Sequence, residues 1–345
     1  MAAAIMLQGH VFHSFARPDL REAGPWVISQ FIGGIAPAIF LFLMGVTLSF
    51  GMDARGRKGE SPAGRWRAAL NRAGYFFLLA FAFRFQLWLF GYPQSPVTDL
   101  LKVDILNCMG LAVLALSALS VLTTAQRVHA GIVAGILIAS ASPLLSIVPK
   151  GVLPELVSMY VVPDGRYFSF FPWAAFVAFG VGCGSVLRLV TQEQMHRVMQ
   201  WASILGFGLI LSAQYFSNLP YSIYPATDFW LNSPGLIFIK TGVILVILAV
   251  AFLWTHHGAG EGWSWVRQLG TTSLLVYWVH IELVYGRWFG FWKESLTIAQ
   301  CSLIAFALVL LMIGLAWLRH NMNWPELRLG SIWPATPEPR RASGD

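Results

Sequence analysis

Residues 31–51 read FIGGIAPAIFLFLMGVTLSFG, twenty-one positions without one ionisable side chain. A run of about 20 apolar residues matches the hydrocarbon thickness of a bilayer when coiled into a helix. Further runs of this kind recur at approximately 72–91, 103–123, 128–148, 168–188, 198–217, 234–254, 270–290 and 297–318, with a shorter one at 1–16. In lipid every backbone N–H and C=O must be satisfied within the segment, which leaves helices as the form for such runs. The expected fold is therefore all-α, a polytopic membrane bundle of about ten transmembrane helices. Only 11% of residues are charged and 57% are hydrophobic, whereas a soluble domain carries roughly 25% charged residues. The 15 Trp and 25 Phe suit lipid-facing and interfacial positions.

Pro, Gly and charged residues punctuate the gaps, as in GYPQSPVTD and SNLPYSIYPATDFWLNSP. The expected organisation is one membrane domain over residues 1–320 and a disordered cytoplasmic tail over 321–345, ending PATPEPRRASGD. Cys108, Cys183 and Cys301 all lie in apolar runs without metal spacing, so they read as packing residues. With both termini placed in the cytoplasm, fourteen Lys and Arg fall on that side and seven on the other, with Arg84 and Lys240 inside spans. This asymmetry follows the positive-inside rule. The net charge of +7 is thereby a membrane signature and implies no nucleic-acid partner. The segment DARGRKGESPAGRWRAALNR supplies most of the bias. Topology alone explains its charges, and Arg55, Arg57 and Lys58 could also grip phosphates.

Ionisable groups at membrane depth cost roughly 2.5–3.5 kcal/mol each on insertion scales, so each is a candidate functional group. His10 and His13 stand three apart on one face of the first helix. His10 lies within the span and can bridge helices or do chemistry; His13 approaches the far interface. His280, in GTTSLLVYWVHIELVYG, shares a helix side with Tyr277, while Glu282 points elsewhere. Arg84 could snorkel to the surface or pair with Asp104, which shares a face with Asn107 at i, i+3. Lys240, close to a span end, is expected to snorkel. Convergence of the first, third, fourth and ninth spans would line one cavity with His10, Asp104, Asn107 and His280. A neutral imidazole there could act as a base or carry an acyl group, and it would equally suit a proton relay in a transporter.

The order of several motifs along the chain resembles bacterial membrane proteins related to the catalytic domain of heparan-alpha-glucosaminide N-acetyltransferase. IMLQGHVFHSF is followed by a second helix with Ala36, Pro37, Phe40, Phe42, Leu43 and Gly45 at the family-like places. FAFRFQLWLF, LLKVDILNCMGLAV, FPWAAFVAFGVGCG and LGTTSLLVYWVHIELVY continue the likeness. The resemblance implies a multispan acyltransferase of the bacterial inner membrane. It would use acetyl-CoA or another acyl-CoA as co-substrate, without a metal, and a sugar or glycan acceptor, its other partners being membrane lipids. It places the family histidine at His10 and a second at His280, both read as catalytic. His13, Arg84, Asp104, Asn107 and Tyr277 are read as substrate or pocket residues, and Arg55, Arg57 and Lys58 as contacts to the donor. Two other readings remain: a proton-coupled transporter or flippase of the same architecture, and a sensor or assembly factor without chemistry. Relatives begin with a polar stretch before the first helix, whereas this chain opens inside that helix. A start upstream of Met1 is expected.

Overall fold

The computed structural model describes residues 1–22, 24–149, 151–258 and 263–322. Among them the regular structure is helical, with one isolated bridge between Ala16 and Leu296. In chain order the α-helices are α1 (Ala2–Phe15), α2 (Gly24–Gly33), α3 (Ile35–Arg57), α4 (Pro62–Gly91), α5 (Ile105–Leu116), α6 (Thr124–Ser146) and α7 (Glu155–Val161). There follow α8 (Phe170–Leu189), α9 (Met195–Ser217), α10 (Pro234–His257), α11 (Trp265–Thr271), α12 (Ser273–Tyr285) and α13 (Ile298–Asn321).

Local chemistry sets many of the helix starts. Ser61 accepts from the Gly64 amide at 3.1 Å, with Pro62 in the first turn of α4. Thr123 with Gln126 and Thr297 with Gln300 form reciprocal capping boxes at α6 and α13. Helix packing relies on small residues, as expected where no hydrophobic effect drives helices together. A Cβ on Gly45 of α3 would lie 2.0 Å from the Val177 carbonyl of α8, and one on Gly180 would lie 2.0 Å from the Phe42 carbonyl. Gly131 meets Gly182 between α6 and α8, Gly206 meets Gly242 between α9 and α10, and Gly9 meets Gly33 between α1 and α2.

Among the described residues seven helical segments are long and apolar enough to cross a membrane: 24–57, 62–91, 97–121, 124–146, 170–189, 234–257 and 298–321. The polytopic all-α bundle is thus as expected, and each of the ten expected runs holds helix. Details differ for physical reasons. The run at 270–290 is divided at Thr272, between α11 and α12, and its helix stops at Tyr285. The run at 103–123 starts later, because Asp104 caps α5 instead of lying within it. α1 has 14 residues, about 21 Å at 1.5 Å per residue, less than the roughly 30 Å hydrocarbon core. Residues 323–345, most of the expected tail, lie outside the described residues.

Lys240 corrects an expectation. It is 7% exposed and does not reach the surface. Its ammonium stands 5.1 Å from the centre of the Trp173 ring, and a Cβ added to Gly34, at the end of α2, would lie 3.4 Å from it. A cation there gains from the π face and from the negative end of the helix.

Two buried clusters organise the bundle. One gathers α3, α4, α5 and α8, with contributions from α6 and α10. The other gathers α1, α12 and α13. Between them, walled by α1, α3, α4, α5 and α12, is a cavity of about 1450 Å³.

Candidate active site

α1 buries Ala3, Leu7, Val11 and Phe15 against the second cluster. This leaves His10, one turn after Met6, on the cavity wall. α12 buries Val276 and Val284 in the same cluster, and His280 between them is fully buried. The two imidazoles meet: His10 Nδ1 is 2.8 Å from His280 Nε2, with ring centres 5.1 Å apart and planes 12° from parallel.

Their hydrogen bonds assign the protons. His280 Nδ1 is 2.6 Å from the Val276 carbonyl oxygen, which can only accept, so His280 carries its proton on Nδ1. In the neutral ring His280 Nε2 then accepts, and His10 Nδ1 donates to it. His10 Nε2 is left with its lone pair. An imidazole held this way can take a proton from a neighbouring hydroxyl or bond to an acyl carbon. Tyr277 packs edge-on to His280 at 5.8 Å, and Tyr285 packs edge-on to His10 at 5.4 Å. Tyr277, Tyr285 and His13 line the cavity with His10, whereas His280 supports the ring from behind the wall.

The other intramembrane pair forms as one of the two expected alternatives. Arg84 Nε lies 3.1 Å from Asp104 Oδ2, both largely buried, and both line the cavity. Asp104 and Asn107 do not share a helix face as a polar stripe. They make a capping box: Asp104 Oδ1 accepts from the Leu106 and Asn107 amides, and Asn107 Oδ1 accepts from the Asp104 amide. Asn107 Nδ2 donates to the Tyr160 hydroxyl at 2.9 Å, and Asn107 is not among the cavity-lining residues. Its i, i+3 spacing from Asp104 therefore reports a helix start.

Arg55, Arg57 and Lys58 line the opposite end of the cavity, joined by Arg65, Arg72 and Arg188. Arg55 pairs with Glu60 at 3.0 Å. Asp53, absent from the sequence-derived candidates, organises this mouth. It meets Arg188 Nε at 2.8 Å and Arg57 at 3.2 Å, and accepts from the Thr124 hydroxyl at 2.8 Å. Arg72 donates to Thr47 Oγ1 at 2.8 Å. Its position as the first charge after the apolar run of α3 was the one available signal for Asp53. Tyr285 carried none, because aromatic residues are common at span ends. Among the described residues no group of three or more His, Cys, Asp and Glu is arranged to hold a metal ion.

Fold and cavity together define a polytopic helical membrane protein with His10 on the wall of a cavity, His280 behind it, and a cationic mouth. The family model of the heparan-alpha-glucosaminide N-acetyltransferase catalytic domain matches residues 1–223. That is well over half the chain, and the protein belongs to this family. No curated protein and no solved structure matches it.

Proposed function

We propose that the protein is an integral membrane acyltransferase of the bacterial inner membrane. It moves an acetyl or other short acyl group from an acyl-CoA to a hydroxyl or amine, with a sugar as the acceptor class. The single observation that carries this reading is the His10–His280 bond at 2.8 Å, set in a cavity whose other end is cationic. The phosphates of CoA meet Arg55, Arg57, Lys58 and Arg188 at the mouth, where charge-assisted contacts favour them. The thioester extends inward toward His10. His10 Nε2 accepts the acceptor's proton, or bonds to the acyl carbon and carries the group. His280 holds His10 in the required tautomer, and the buried Arg84–Asp104 pair with Tyr277 shapes the chamber.

Purified protein incubated with radiolabelled acetyl-CoA tests the reading. CoA release, with label on protein or on an added sugar, is the expected result. Proton-dependent solute uptake into vesicles without CoA release would overturn it in favour of transport.

A further inference from the structure

At the end of the bundle remote from the basic segment is a second cavity of about 340 Å³, lined by His13, Ser14, Arg21, Tyr285, Lys293 and Glu294. α4 fixes its place. Its 30 residues span about 45 Å at 1.5 Å each, from the basic segment to Gly91. Arg287, two positions after Tyr285, donates to the Gly91 carbonyl at 2.8 Å. His13 and Tyr285 line both cavities, so the two spaces meet at these side chains. His10 stands one helical turn before His13, with Tyr285 edge-on to its ring. The small cavity is at the lower end of the roughly 300–1,000 Å³ typical of small-molecule sites.

Its charges are unequal. Glu294 is engaged by Arg21 at 2.8 Å. Lys293 has no carboxylate partner among the described residues; its ammonium donates to the Tyr285 carbonyl at 2.8 Å, which leaves two of its three N–H groups. A protonated amine placed here meets a like charge. A carboxylate or phosphate meets free donors.

We propose that this cavity is the acceptor subsite, and that it selects an anionic, hydroxyl-bearing sugar over an aminosugar. The inference rests on the acyltransferase reading above. In the transfer the acceptor oxygen bonds to the thioester carbonyl carbon and the carbon–sulfur bond breaks. The hydroxyl proton passes to His10 Nε2 and then to the departing sulfur, which gives an ester and CoA thiol.

The test uses the full chain in detergent with radiolabelled acetyl-CoA and four acceptors: methyl glucoside, methyl glucuronide, glucose 6-phosphate and glucosamine. The two anionic sugars are expected to exceed the others in kcat/KM by about ten-fold, the scale of one charge-assisted contact. Lys293→Glu should remove that preference and Lys293→Arg should keep it, with both variants eluting as monodisperse protein. Equilibrium dialysis of radiolabelled methyl glucuronide without donor should show binding that Lys293→Glu weakens about ten-fold. Preference for glucosamine or the neutral glucoside, or an anionic preference that survives Lys293→Glu, would overturn the subsite while acyl transfer stands. Lys293-dependent glucuronide binding with no CoA release from any acceptor would support the anion site and overturn the acyltransferase reading.

Discussion

His10 and His280 are 270 positions apart in the chain, yet their ring nitrogens are hydrogen-bonded at 2.8 Å. The polar character of each was legible, because an imidazole in an apolar run stands out. That the two rings bond each other was not, since spacing within a helix says nothing about which distant helix it faces. The division of labour also came only from the structure: His10 reaches the cavity and His280 is behind it. In the proposed mechanism His280 is thus a positioning residue. His280→Ala should lower kcat by about 10²-fold, within the range of general acid–base effects, and leave KM for acetyl-CoA nearly unchanged. His280→Gln, whose amide oxygen can accept the His10 proton, should recover part of the loss. Steady-state kinetics on the two variants checks this, and equal kcat for both would contradict it.

Asp104 shows how an element can disguise a residue's role. In the sequence, VDILN reads as a polar face within a span; in the structure it is the start of α5, with Arg84 of α4 brought against the cap. Asp104→Asn keeps a cap acceptor and loses the ion pair, whereas Asp104→Ala loses both. The alanine variant should therefore melt at a lower temperature than the asparagine variant, the missing cap alone costing about 1 kcal/mol. Indistinguishable melting temperatures in detergent would contradict the capping role. The crossing of α3 and α8 gives a second prediction at this scale. Gly45→Val places atoms where the α8 backbone lies, so it should prevent the helices from closing and reduce the yield of monodisperse protein. Gly314→Ala, with nothing within 4 Å of the added carbon, should be tolerated. Apolar periodicity located these helices well. It could not show where α11 gives way to α12, a break carried by a Thr–Thr pair that ordinary helices also tolerate.

At the scale of the molecule, two buried clusters stand apart along a cavity of about 1450 Å³, with cations at one mouth and the histidine pair near the other end. From the sequence alone the charges of the basic segment read as topology. Its second property, that Arg55, Arg57, Lys58, Arg65 and Arg72 line a chamber and that Arg57 shares Asp53 with Arg188 arriving from α8, follows from helix packing that no local pattern reveals. Arg188→Glu should raise KM for acetyl-CoA about ten-fold, with the effect shrinking as salt screens the mouth; an unchanged KM at low salt would contradict donor binding there. CoA release by purified His10→Ala protein tests the proposed chemistry most directly. The expected rate is at least about 10²-fold below that of the unaltered protein, in a variant that elutes normally from a sizing column. A rate within about two-fold of the unaltered protein's would remove His10, and with it the proposed mechanism.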